Sequence, residues 1–290
     1  MNTECQTIIV ENPKLPLSEI EKSLITTYKK DLFRPFVKTI NEYQLIEPND
    51  KIAVGMSGGK DSLLLAKLFQ ELKRHNKMDF EVVFLSMDPG FHQLNRDLLE
   101  NNCNYLNIPL IIKESKIFDV IGKIAQENPC YMCARMRRGF LYHAAKSLGC
   151  NKLALGHHFD DVIETTLLNM FYGGQFKTMV PKIKAENFEG IELIRPMMKV
   201  KEKDIIRWVK KSGIQAMNCG CTVAAKKTSS KRREIKELIK NLQTVHSDID
   251  QSIYTAATNV NIDAVLGYVK QGKKIHFNEI YKEREKKDDL

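Results

Sequence analysis

Residues 57–62 read Ser57-Gly58-Gly59-Lys60-Asp61-Ser62, between the apolar run KIAVGM and the helical run LLLAKLFQELKRH. Two glycines let the backbone come close to a ligand, and the start of the following helix offers free N–H groups to an anion. Lys60 adds a cation and the two serines add hydroxyl donors. This is the chemistry of a phosphate cradle. It is not the Walker-type loop, which requires Ser or Thr directly after the lysine, where this chain has Asp61. A second polar cluster, Gly156-His157-His158-Phe159-Asp160-Asp161, also follows an apolar run. Acids at a helix start are favoured by capping and by the macrodipole alone, so Asp160 and Asp161 are each either caps or working carboxylates. The two histidines have no clear zinc spacing. Asp88, in SMDPGF, is either a strand-end carboxylate that meets a nucleotide or a turn residue before Pro89-Gly90.

Seven cysteines add a further chemistry. Cys130 and Cys133 form a CxxC, Cys219 and Cys221 form a CxC, and Cys5, Cys103 and Cys150 stand alone as packing or surface thiols. Paired thiolates hold a metal or cluster, or run dithiol exchange. The CxxC does not follow a first strand, which disfavours a thioredoxin-like role. A four-thiolate zinc site from Cys130, Cys133, Cys219 and Cys221 is the structural alternative. Arg135, Arg137 and Arg138 beside the CxxC would lower thiolate pKa and suit RNA phosphate.

The elements that must position these groups alternate. Strand signals at KIAVGM, EVVFLSMD, LIIKES, KLALGHH and IELIRPM are separated by helical patterns, including 92–106, 131–148 and DDVIETTLLNMFYGG. This predicts an α/β fold with a doubly wound parallel sheet. In such sheets ligands sit beyond the carboxyl ends of the strands, so SGGKDS, MDPGF and GHHFDD are expected on one rim. Apolar positions at helical spacing over 17–46 predict one or two helices before the sheet. The expected organisation is an N-terminal helical segment at 1–48, the nucleotide domain with the CxxC helix at 49–218, and a basic helical extension at 219–290 ending in a frayed tail.

Charge narrows the partner. Lys plus Arg is 45 against 36 for Asp plus Glu, a net charge of +9, which points to a polyanion. The basic segment 226–236, and Lys199, Lys201 and Lys203, are either solvated faces or RNA contacts. Phe171, Tyr172 and Phe176 either stack on a base or belong to the core. No apolar run reaches the roughly 18–20 residues of a membrane span, and MNTECQTIIVENPKLP lacks the pattern of a secretory signal. A cytoplasmic, reducing location is expected.

SGGKDS resembles the signature of the PP-loop (N-type) ATP pyrophosphatases. The resemblance implies an adenine nucleotide alpha hydrolase-like fold and cleavage of ATP to AMP and pyrophosphate. It implies that Ser57, Gly58, Gly59, Lys60, Asp61 and Ser62 hold the pyrophosphate moiety, with Asp61 near Mg²⁺ and Asp88 toward the adenosine. GHHFDD is similar to the second nucleotide motif of the PP-loop RNA-modifying enzymes, which implies His157 and Asp161 at the ATP or Mg²⁺ site. Lys60, Asp61 and Asp161 are then the catalytic candidates. SGGKDS, CYMCARMRRG, GHHFDD, LNMFYGG, LIRPM and a cysteine near 220, in that order, resemble the tRNA 2-thiocytidine synthetases over most of residues 30–265. That family implies a [4Fe-4S] cluster on three cysteines with the fourth iron free to carry sulfur. Cys130 and Cys133 are the expected ligands. Spacing to the basic helix near Arg232 favours Cys221 as the third, and Cys219, which precedes a glycine as in the family, is the alternative. The resemblance also implies a tRNA substrate, a sulfur donor such as a cysteine desulfurase, and a homodimer. A 2-thiouridine synthetase is the competing PP-loop reading, weakened because only Cys5 lies before the loop.

Overall fold

Alternate residues of the central strand face different cores. Ile52 and Val54 of β1 (Asp50–Gly55) join one apolar cluster, and Ala53 between them joins another. Phe84 and Leu85 of β2 (Phe80–Asp88) divide in the same way. This is the period of two of an extended chain covered on both sides. The computed structural model describes residues 13–75, 78–115, 129–217 and 230–288, and within these the side chains of 129–135, 230 and 283–288 are not described.

The chain order after β1 is α3 (Lys60–Arg74), β2, α4 (Gln93–Tyr105), β3 (Leu110–Glu114), α5 (Pro129–Ser147), β4 (Lys152–Ala154) and α6 (Phe159–Gly173). There follow β5 (Lys182–Lys184), β6 (Glu192–Ile194) and α7 (Glu202–Ser212). The sheet runs β3-β2-β1-β4-β6-β5, with β5 the antiparallel edge and the other pairs parallel. The five expected strands are all present. Polar β5, KIK, was not legible, because a charged three-residue edge strand carries no apolar alternation. The order reverses at β1, whose neighbours are β2 and β4, so a crevice opens between the carboxyl ends of β1 and β4.

The N-terminal segment forms α1 (Leu17–Ile25), a π-helical turn over Lys29–Phe33 and α2 (Arg34–Tyr43). Pro35 has no N–H to donate, and the Arg34 N–H reaches Lys29 O, five residues back, which widens the helix there. Ile20, Leu24 and Phe36 share a core with Leu64 and Phe69 of α3 and Trp208 of α7. Phe36 meets Phe69 edge-on at 5.4 Å. Each such buried aromatic is worth about 3–5 kcal/mol against truncation to alanine. Beyond residue 229, α8 (Ser230–Val245) and α9 (Ile249–Thr258) pack Ile235, Ile239 and Tyr254 against Phe159 and Ile163 of α6. Before the tail comes a hairpin, β7 (Gly267–Lys270) with β8 (Lys273–His276), and the segment EIYKEREKKDDL, expected to fray, lies largely in a helix, α10 (Phe277–Asp288). Among the described residues no helix is long and apolar enough to cross a membrane.

Candidate active site at the β1–β4 crevice

The polar loop after β1 turns into α3 through Gly58, whose φ of +78° only glycine adopts without strain. A Cβ there would also lie 2.2 Å from Met217 Sδ. The Met217 N–H donates to Gly58 O at 2.9 Å, so the stretch after α7 rests directly on the loop. Ser62 Oγ donates to Gly59 O at 2.9 Å and lies 3.3 Å from Ser57 Oγ. Gly59 is the N-cap of α3 without a side-chain cap, which leaves the helix's first N–H groups to an anion.

The loop after β4 closes on this turn. A Cβ on Gly156 would lie 3.2–3.3 Å from the backbone and Cβ of Asp61, so a larger residue would push the two loops apart. The contact brings three carboxylates around one imidazole. His158 Nε2 is 3.8 Å from Asp61 Oδ1 and 3.6 Å from Asp161 Oδ2, and Nδ1 is 3.7 Å from Asp160 Oδ2. Asp161 is the N3 residue of α6 and accepts the His158 N–H at 3.0 Å, the reciprocal cap of a helix start. Asp160 accepts the Glu202 N–H at 2.7 Å and so ties α6 to α7. Asp61 Oδ1 is buried and has no hydrogen-bond donor among the described residues. A buried anionic oxygen of this kind fits a cation, and Mg²⁺ typically takes one or two carboxylates together with substrate phosphates. Asp61 and Asp161 meet that requirement. Among the described residues no group of three or more His, Cys, Asp or Glu side chains is arranged to hold a metal without such help.

The cationic side of the site comes from three elements. Lys60 Nζ stands 3.1 Å from Asp61 Oδ2 and 3.2 Å from Glu202 Oε1. Burial works against its charge, but the two acids outweigh it and hold its pKa above the ordinary lysine value. Glu202 also accepts Lys236 Nζ at 2.6 Å. Burial would raise its carboxyl, yet Lys236 and Lys60 bring it down to about 2. Arg232 of α8 reaches Asp161 Oδ1 at 3.1 Å and Glu164 Oε2 at 2.7 Å. Asp161 is likewise pulled up by burial and held below the usual carboxylate range by His158, His157 and Arg232. The basic segment at 226–236 was legible only as charge, and the site's acids now account for two of its residues.

His157 is separate from this cluster in character. Burial lowers its pKa to about 4, with Arg195 and with Arg138 of α5 adding to the effect. It is neutral in the fold at pH 7. The unfolded chain binds its proton near pH 6.5, so the stability His157 confers is complete above pH 6.5 and is lost as pH falls toward 4. His157→Gln is expected to flatten this slope by on the order of 1–2 kcal/mol between pH 7.5 and pH 5, read from urea unfolding at both values. Equal slopes in the two proteins would remove His157 as the titrating group.

Asp88 adopts the turn role. Its Oδ1 accepts the N–H groups of Gly90 and Phe91 at 2.8 and 2.7 Å, and Arg96 binds Oδ2 at 3.1 Å. Phe171, Tyr172 and Phe176 are exposed and are not core. Cys103 and Cys150 are buried, and burial pushes the Cys103 thiol up to about 12, as for a packing cysteine. Cys130 and Cys133 fall three residues apart at the start of α5, and their side chains are among those not described. Cys5, Cys219 and Cys221 lie outside the described residues.

Residues 28–218 match the PP-loop domain family. A Pelobacter propionicus protein named tRNA-cytidine(32) 2-sulfurtransferase is 38% identical over 237 residues, covering 81% of this chain and 87% of its own. The chain belongs to the PP-loop tRNA-cytidine(32) 2-sulfurtransferase family. A second sulfurtransferase of that name, from Neisseria gonorrhoeae, is 37% identical over 227 residues, covering 77% of this chain and 69% of its own. The U34-tRNA thiolase NcsA of Methanococcus maripaludis, solved with its [4Fe-4S] cluster, superposes with a TM-score of 0.61 at 21% identity, over 78% of this chain and 77% of its own. The two chains therefore share a fold. Sequence reasoning about its site missed His158, Glu202 and Lys236. The signal available for Glu202 was its place in the first turn of a helix, which by itself reads as an ordinary cap.

Proposed function

We propose that this protein binds ATP at the β1–β4 crevice, adenylates the C2 carbonyl oxygen of a cytidine in tRNA, at position 32, and replaces that oxygen with sulfur. The observation that carries this reading is the meeting of Lys60 and Asp61 from one loop with His158 and Asp161 from the other. A cytidine carbonyl is a poor electrophile and its oxygen a poor leaving group. In the first step that oxygen attacks the α-phosphorus and pyrophosphate leaves. In the second a sulfur nucleophile bonds to C2 and the C–O bond breaks, releasing AMP.

This chain's residues serve both steps by charge and position. The α3 N–H groups, Ser57, Gly59, Ser62 and Lys60 would take the leaving pyrophosphate charge. Asp61 and Asp161 would hold Mg²⁺, which when bound neutralises phosphate oxygens. Arg232 and Lys236, now on the site's acids, place two further cations at the same rim. The soft thiolate set of Cys130, Cys133 and Cys221, with Cys219 as the alternative, fits an iron–sulfur cluster. Three protein thiolates would hold such a cluster, and the chemistry it would supply is delivery of the sulfur. A donor of the cysteine desulfurase type, a homodimeric working unit and a cytoplasmic location belong to the same proposal and rest on the family resemblance.

The test is the nucleoside content of bulk tRNA from the source organism with and without the gene, read by mass spectrometry. Loss of 2-thiocytidine alone is the expected result. Loss of a different thionucleoside would keep the chemistry and overturn the base, and an unchanged nucleoside profile would overturn the thiolase reading.

A further inference from the structure

A basic groove leads away from the active-site rim. Lys30, Arg34 and Lys38 line it from one segment, Lys199 and Lys201 from another, and the nearly buried Phe159 borders it. Among the described residues no acidic side chain lines it. Two of its lining residues adjoin the cluster at the β1–β4 crevice along the chain: Phe159 follows His158, and Lys201 precedes Glu202. The Phe159 N–H donates to Val200 O at 2.9 Å, and Lys201 Nζ stands 5.1 Å over the Phe159 ring.

Lys30, Arg34 and Lys38 recur at steps of four along the π-helical turn and α2. Like charges at this spacing destabilise a helix by about 0.2–0.5 kcal/mol per pair. An ordinary solvated helix face would interleave acids there. Asp31 pairs with Arg207, while Glu42 and Asp250 pair with the groove's Lys199 and Lys201, so the uncompensated charge is on the Lys30, Arg34 and Lys38 side. Lys30 and Arg34 are exposed and make no ion pair among the described residues. Lys29, Arg34 and Lys38 also border a second depression on the neighbouring flank of the helix, so the cationic stripe is open on both sides.

We infer that this groove binds the phosphodiester backbone of the RNA substrate, with Lys30, Arg34 and Lys38 as its main contacts, and sets the strand so that one nucleotide reaches the rim at Phe159. The inference rests on the RNA reading of the function. Phosphate contacts position a nucleic acid without reading its sequence, and their signature is a steep dependence on salt.

The experiment measures binding of an unmodified tRNA transcript to the full chain by fluorescence anisotropy across a salt series. The variant carries Lys30→Ala, Arg34→Ala and Lys38→Ala together, all exposed and outside the ATP site. A control removes the same charge from the hairpin, as Lys270→Ala, Lys273→Ala and Lys274→Ala. ATP binding is followed in all three proteins and is expected to be unchanged. The groove variant is expected to bind about tenfold more weakly or worse, with a log–log salt slope shallower by about 2–3, while the control stays near wild type. Wild-type affinity and slope in the groove variant, or an equal loss in the control, would overturn the groove and leave the thiolase reading standing. Failure of the wild-type chain to bind the transcript even at low salt would overturn both.

Discussion

Asp61→Asn is expected to slow ATP cleavage by about 10²–10³-fold, with iron content unchanged. Asparagine keeps the shape of the side chain and an acceptor toward Lys60, but removes the negative charge. Asp61 Oδ1 is a buried carboxylate oxygen with no donor among the described residues, and it faces His158 alongside Asp161. Its charge also helps keep Lys60 protonated against burial. Removing it would weaken the acid pair proposed to hold Mg²⁺ and take away one of the two negative charges beside Lys60. The measurement is release of AMP and pyrophosphate from ATP in the presence of tRNA, beside an iron assay of the same preparation. Normal turnover in Asp61→Asn would take Asp61 out of the reaction.

Cys130→Ala is expected to reduce iron from about four per chain to background and to abolish thiolation, while ATP still binds. The two properties separate because the nucleotide cradle is proposed on the loops after β1 and β4 and the starts of α3 and α6, whereas Cys130 stands near the start of α5. Cys221→Ala is expected to behave in the same way, and Cys219→Ala to keep its iron. Loss of iron in Cys219→Ala alone would exchange the two assignments. About one zinc and little iron in anaerobically purified wild type would replace the cluster by the four-thiolate zinc site. Retained thiolation in Cys130→Ala would remove the cluster from the reaction altogether.

Much of this protein is written locally. Apolar runs broken by polar turns specify β1, β2, β3, β4 and β6, because a strand covered on both faces must be apolar throughout. SGGKDS and GHHFDD are legible for the same reason: glycine spacing and acid placement at a helix start depend on neighbours only a few residues away. Their convergence follows from the handedness and order of a doubly wound sheet. The rest was decided by packing across long separations. Spacing along the chain cannot say that Glu202 lies between Lys60 and Lys236, or that Arg232 meets Asp161, since each pairing joins elements that only the tertiary fold brings together. It cannot say which of two adjacent histidines faces the acids and which is buried neutral, because that is set by the rotation of one loop on Gly156. Nor can it tell a solvated lysine stripe from the wall of a groove, which exists only when α2 is laid beside the segment leading into α7. The sequence by itself determined the five parallel strands and the two polar loops that follow β1 and β4. The tertiary structure alone decided which charges meet, because electrostatic partnership depends on distance in space and leaves no trace in periodicity.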